Sequence, residues 1–243
     1  MGFLEKLFGK HKKTTPFCTA VVVAGGKATR MEGVDKILTP LGGEPLILYA
    51  LEPFQASDLV DEIVIVARED LMVPIGNLCS QKGMDKVRRV VNGGDTRQAS
   101  VLAGIRAADP EAGLIAIHDG ARPFVTREII EETIREARRS SAAAPAIPVK
   151  DTIKRAREGI VTETPDRSEL FAVQTPQVFE ASLIKAAVTK AVQEGAPITD
   201  DCSAVERLGF PVKLTRGSEE NIKITTPRDL LHGEAILAER MGL

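Results

Sequence analysis

Four short stretches of this 243-residue chain carry residue types suited to handling a polyphosphate. In Ala24-Gly25-Gly26-Lys27-Ala28-Thr29-Arg30-Met31 a turn of small residues follows an apolar run, with Lys27 and Arg30 beside it and Lys36 a little further on. Glycine lets backbone N–H groups come close to phosphate oxygens, and the neighbouring cations would neutralise their charge. The turn is neither G-x-x-x-x-G-K-[ST] nor G-x-G-x-x-G, so it points to phosphate without naming the nucleotide. A second glycine turn, Asn92-Gly93-Gly94-Asp95-Thr96-Arg97, leads on to Ser100. His118-Asp119-Gly120-Ala121-Arg122-Pro123 supplies a carboxylate of the kind Mg²⁺ takes together with phosphate oxygens. Asn221-Ile222-Lys223-Ile224 adds a further lysine. Any one of these could be an ordinary connection between a strand and a helix. Acting together, they need a fold that gathers them along one edge.

The rest of the chain reads as such a fold. Apolar, β-branched runs at 20–24, 62–67, 87–91, 114–118 and 211–214 predict strands. Helical periodicity predicts helices at 45–55, 97–108, 126–139 and 181–194, the last with Leu183, Ile184, Ala187, Val188, Ala191 and Val192 on one face and Gly195 just past its end. Continuous apolar strands alternating with amphipathic helices imply a doubly wound α/β fold, a mainly parallel sheet covered on both faces. Ligands of such sheets sit beyond the carboxyl ends of the strands, where all four motifs fall. Two segments stand outside this rhythm. Residues 1–17 read as a basic tail with Phe3, Leu4, Leu7 and Phe8 at helical spacing, too little apolar area for stable membrane association. The charged stretch at about 148–172, with Gly159 and Pro165, reads as a protruding β-arm of the single domain expected over 18–240.

Composition narrows the function classes. Thirty-two basic against 34 acidic residues give a net charge of −2, no field for nucleic acid or an anionic membrane. No Trp and a single Tyr weaken the case for base stacking on single strands. Cys18, Cys79 and Cys202, odd in number and without C-x-x-C spacing, argue against a disulfide framework or structural zinc and suit a reducing cytoplasm. His118 stands next to Asp119 but has no recognisable serine partner for a hydrolytic triad, and His11 and His232 read as solvated.

Read in order, AVVVAGGKATRM with Lys36, GGDTRQASVLAG, HDGARP, DTIKR, TPQ, GAPITDDCSAVE and NIKITTP resemble the 2-C-methyl-D-erythritol 4-phosphate cytidylyltransferases over nearly all of the chain beyond the tail. Ala28, Thr29 and Asp35-Lys36-Ile37 depart from the usual residues of the first loop but leave Arg30 and Lys36 in place. The resemblance implies a Rossmann-like nucleotidyltransferase that uses CTP, a divalent cation such as Mg²⁺ and an alcohol phosphate. Arg30 and Lys36 would be the chief transition-state stabilisers, with Lys223 on the reacting phosphates. Ala24, Gly25, Gly26 and Lys27 would cradle CTP, and Gly94, Asp95 and Ser100 would surround its cytosine. Asp119 would serve metal and substrate, and Arg122 would bind the substrate beside it. The arm would clasp a second subunit in a homodimer, Thr152 and Arg167 completing the neighbouring site, while Thr175 and Thr199 would be further polar contacts. A ribitol 5-phosphate cytidylyltransferase and a non-catalytic nucleotide-binding protein remain open alternatives. The missing G-x-G-x-x-G disfavours a dinucleotide dehydrogenase.

Overall fold

Alternating burial along a few strands explains the architecture. The computed structural model describes residues 16–25 and 37–242; the expectations for the tail at 1–15 and for Gly26, Lys27, Arg30 and Lys36 lie outside the described residues. In chain order the elements are β1 (Phe17–Val23), β2 (Pro40–Leu41), β3 (Glu44–Pro45), α1 (Leu46–Ala56), β4 (Glu62–Ala67), α2 (Glu69–Gln81), β5 (Val87–Asn92), α3 (Arg97–Ala107), β6 (Ala112–Asp119) and α4 (Arg127–Ser140). There follow β7 (Ala142–Pro148), β8 (Arg155–Arg157), β9 (Ile160–Glu163), a 3₁₀ turn at Arg167–Glu169, β10 (Phe171–Val173), β11 (Gln177–Glu180), α5 (Ala181–Glu194), α6 (Asp201–Glu206), β12 (Lys213–Arg216) and α7 (Pro227–Met241).

Eight strands form the main sheet in the order β10-β7-β11-β6-β1-β4-β5, with β12 on β7. The pairs β6–β1, β1–β4, β4–β5 and β7–β12 are parallel. The expected parallel sheet therefore acquires an antiparallel part, because β11 pairs antiparallel with β6 and β7, and β10 with β7. Successive strand residues point to opposite faces. Cys18, Ala20 and Val22 of β1 pack with α1, α2 and α4, whereas Val21 packs with α3, α5 and α6 on the other face. Each fully buried Val or Ile contributes roughly 1.5–3 kcal/mol, so this two-sided burial fixes the register of the central strands. A third cluster seats α7 on Leu41, Leu46, Phe124 and Ile224.

Local chemistry places the helices. Thr96 and Thr126 cap α3 and α4 by accepting from the N–H groups of Ala99 and Ile129, and α7 begins in a capping box of Thr226 and Asp229 with Pro227 in its first turn. The segment expected to protrude contains the β8–β9 hairpin, a separate two-stranded sheet, and residues 151–164 are exposed throughout. Its flanks differ from the expected bounds: Pro148 ends β7 and Phe171 begins β10, both hydrogen-bonded into the main sheet.

Candidate active site

The order of the strands decides where a ligand can enter. From β1 the chain moves to β4 and β5 on one side and returns to β6 on the other, so the connections diverge at the carboxyl ends of β1 and β6 and leave a crevice there. A cleft of about 570 Å³ opens at this edge. Val23, Ala24 and Gly25 line it from β1, Ala67 and Arg68 from β4, Asn92 to Arg97 with Ser100 from the second glycine turn, Asp119 and Ala121 from β6, and Lys223 from the segment before α7.

The glycine turns are tied to the sheet through their backbones. Ala24 N–H donates to Val66 O at 2.7 Å, Gly93 N–H to Ala67 O at 2.8 Å and Gly120 N–H to Val23 O at 2.9 Å. Ser100, buried on α3, accepts from Gly94 N–H at 3.1 Å and lies 3.0 Å from Thr96 O, so its hydroxyl shapes the turn from inside. A Cβ on Gly93 would stand 2.8 Å from Ser100 Oγ and one on Gly94 2.5 Å from Ala99 Cβ. Side chains are thereby excluded and the backbone itself faces the cleft. Asp95 is exposed at the rim.

At the floor, Asp119 meets three cations: Lys223 Nζ at 2.8 Å, Arg97 Nη2 at 3.6 Å and Arg122 Nε at 3.7 Å. Burial opposes its ionisation, but Lys223, Arg97 and Arg122 outweigh that and hold the carboxyl far below the usual carboxylate range. Arg122 is anchored in turn by donating to Asn221 O at 2.7 Å. Asn221 donates to Gln174 Oε1 and to Thr175 O, so the NIKIT and TPQ motifs are held against each other.

His118 is fully buried beneath this floor, its ring centroid 5.0 Å from that of Phe54. Its Nε2 lies 3.2 Å from Arg122 O, an acceptor only, so Nε2 carries the proton. Nδ1 must then accept from the Thr175 hydroxyl at 2.9 Å, and that hydroxyl accepts from Asp119 N–H at 3.1 Å. Burial lowers the His118 pKa to about 4, so the ring stays neutral. Thr175 and His118 therefore position Asp119 from below.

The structure thus brings Ala24, Gly25, Gly94, Asp95, Ser100, Asp119 and Lys223 together around one cleft, with Arg122 and Thr175 beneath it. It does not bring Thr152, Arg167 or Thr199 to the cleft wall. Thr152 and Arg167 are exposed on the arm, where Arg167 donates to Lys150 O at 2.7 Å, and Thr199 is exposed ahead of α6. Two residues that sequence reasoning did not select belong here. Arg97 grips Asp201 with two hydrogen bonds, Nη1 to Oδ1 at 3.0 Å and Nη2 to Oδ2 at 2.7 Å. The signal was present in the two motifs GGDTRQAS and ITDDCSAVE, but their pairing across 104 positions exists only in the fold.

A cleft lined by two glycine turns, with an acid and several cations at its floor, could accommodate a nucleotide's phosphates. Comparison with known proteins points the same way. The family model described as 2-C-methyl-D-erythritol 4-phosphate cytidylyltransferase matches residues 18–239. A protein of that name from Geobacillus kaustophilus is 46% identical over 224 residues, 92% of this chain and 98% of its own length. One from Halalkalibacterium halodurans is 45% identical over 223 residues, 91% and 97% of the two chains. The crystal structure of 4-diphosphocytidyl-2C-methyl-D-erythritol synthase from Anaerococcus prevotii superposes with a TM-score of 0.82 at 32% identity, covering 91% of this chain and 98% of its own.

Proposed function

The chain belongs to the 2-C-methyl-D-erythritol 4-phosphate cytidylyltransferase family, and from that premise we propose that it transfers CMP from CTP to the 4-phosphate of methylerythritol. A phosphate oxygen of the alcohol phosphate attacks the α-phosphorus of CTP, the bond to the bridging oxygen breaks in line, and pyrophosphate leaves. The nucleophile is already ionised at neutral pH, so no general base is needed and catalysis reduces to positioning and charge neutralisation. The observation that carries this reading is the pair of glycine turns, 24–25 and 93–94, that line one cleft together with Asp119 and Lys223, themselves joined at 2.8 Å.

Gly94 and its neighbours offer backbone groups to a pyrimidine edge in a turn that excludes side chains. Lys223 is 38% exposed and able to leave Asp119 for a phosphate oxygen. Lys27, Arg30 and Lys36 are assigned the triphosphate and the transition state by the family pattern. Arg122 and Thr175 keep Asp119 in place. Thr152 and Arg167 are assigned to the site of a second subunit, with Thr199 at the rim of α6. A divalent cation such as Mg²⁺ fits as an ion arriving with the nucleotide: Asp119 is the carboxylate at the floor, and among the described residues no cluster of three His, Cys, Asp or Glu side chains could hold a metal by itself. Mg²⁺ commonly takes one or two carboxylates and completes its shell with phosphate oxygens and water, and when bound it would neutralise triphosphate charge. Free, buried Cys18, Cys79 and Cys202 suit a reducing compartment, and we assign the enzyme to the cytoplasm. No helix among the described residues is long and apolar enough to cross a membrane.

The test is to incubate the purified protein with CTP, Mg²⁺ and either methylerythritol 4-phosphate or ribitol 5-phosphate and to follow pyrophosphate. Release with methylerythritol phosphate alone is expected. Equal or greater release with ribitol phosphate, or none with either, overturns the reading.

A further inference from the structure

Asp201 is 1% exposed, yet its carboxylate reaches the edge of the cleft through Arg97. Its position is fixed from behind. Gln177, buried in β11, accepts from the N–H groups of both Asp201 and Cys202 at 3.0 Å and donates to Asp200 Oδ2 at 2.8 Å, while Asp200 and Ser203 form the capping box that starts α6. Arg97 is the first residue of α3, directly after the second glycine turn. One guanidinium therefore lies between two carboxylates: two short hydrogen bonds to Asp201, and 3.6 Å to Asp119, beyond hydrogen-bond reach. Asp119 gives its short contact to Lys223 instead.

The chemistry of the two cations makes this division matter. An arginine fork takes a carboxylate bidentately and holds it, whereas a lysine ammonium makes single, exchangeable contacts. If Arg97 closed on Asp119, it would occupy both oxygens and displace Lys223.

We propose that Asp201 is a positioning residue that holds the Arg97 fork away from Asp119, so that Asp119 stays paired with Lys223 and anchors the lysine in the cleft until a reacting phosphate oxygen takes it over. The effect on turnover rests on the cytidylyl transfer proposed above; the arrangement of Arg97, Asp119 and Lys223 does not. Asp201→Asn keeps the volume but frees the fork. It lowers kcat about tenfold to a hundredfold, the scale of a misplaced reacting geometry, while the Kd for CTP changes less than about threefold. Adding Arg97→Gln to Asp201→Asn removes the freed fork and raises kcat again, and Asp201→Glu, which keeps a charge for Arg97, retains more activity than Asp201→Asn.

The experiment measures kcat and CTP affinity for these variants, with circular dichroism to establish folding. It also records the ¹³Cε resonance of Lys223 in nucleotide-free protein, assigned by its loss in Lys223→Arg. That resonance moves in Asp201→Asn and returns towards its original position in the double variant. A double variant no faster than Asp201→Asn, or a Lys223 resonance identical in wild type and Asp201→Asn, overturns the proposal. If Asp201→Asn does not fold, Arg97→Gln alone and the double variant are compared. Position 201 acts only through Arg97, so their Lys223 resonances coincide, and a clear difference rejects the model. Absence of turnover by the wild type would refute the proposed reaction, whereas the resonances of the nucleotide-free protein judge the arrangement by themselves.

Discussion

His118 shows how burial converts an ionisable residue into a fixed part. With its pKa lowered to about 4 from an ordinary 6.5, the folded protein binds the proton later than the unfolded chain as pH falls. Stability is therefore undiminished above about 6.5, declines between about 6.5 and 4 and levels off below, a loss of about 3 kcal/mol at most for a shift of this size. Urea unfolding of the nucleotide-free protein at pH 7 and at pH 4.5 should show the decline, and His118→Gln should flatten it; an unchanged slope in that variant would assign the pH dependence to other groups. Arg30 and Lys36 lead to a different expectation. If they meet charge that grows in the transition state, Arg30→Ala and Lys36→Ala each lower kcat by about 10²-fold or more with a much smaller effect on CTP binding. A loss confined to KM would make them simple binding groups. The roles proposed for these two cations rest on the family pattern alone, because residue type does not separate a phosphate-binding cation from a solvated one. Thr175 was legible as a motif residue, but only the fold turns its hydroxyl inward to His118 and Asp119.

The elements divide by how much of their signal is local. Strand β4 was readable because all six of its residues are buried and apolar or β-branched apart from Glu62, whose carboxylate accepts from Thr19 and Asp109 N–H. Strand β7 was not, since its sequence AAAPAIP has low intrinsic strand preference and owes its conformation to β11, β10 and β12 on its flanks. The same reasoning explains the antiparallel part of the sheet, as the direction of β11 is set by partners remote in sequence. Helix α2, which carries Pro74 inside it, is not among the helices the sequence pattern predicts. Close packing of α3 on the sheet gives a test in which the usual sign reverses. Alanine in place of a helical glycine ordinarily stabilises by about 1 kcal/mol. At Gly104, however, a Cβ would stand 2.3 Å from Val21 Cγ1 and 2.8 Å from Val66 Cγ2. Gly104→Ala should therefore destabilise by about 1–3 kcal/mol, with part of the loss recovered by Val21→Ala. A stabilised Gly104→Ala in urea titration would mean that α3 has room to move away from the sheet that carries the second glycine turn.

At the scale of the whole molecule, the arm is the feature a single chain does not account for. Ile160 is 72% and Val161 54% exposed on its hairpin, and Phe171 and Val173 are exposed at its base, apolar surface that would be left in water in an isolated chain. Thr152 and Arg167 are on the same segment and do not line the cleft of their own chain. Both facts support a homodimer in which each arm covers its apolar side against the partner and delivers Arg167 to the partner's substrate, where a planar fork can take two phosphate oxygens. Activity would then depend on association, and two inactive variants could complement each other. Arg30→Ala and Arg167→Ala protomers, mixed after brief dissociation, would form hybrid dimers with one site carrying both lesions and one carrying neither. The intact site should restore up to about half the wild-type activity per hybrid dimer, since one of its two sites is whole. The measurement is pyrophosphate release from the mixture against each parent, with hybrid formation followed by native mass spectrometry. A mixture as inactive as its parents, with hybrids present, would mean that Arg167 serves its own subunit and that the arm has another purpose.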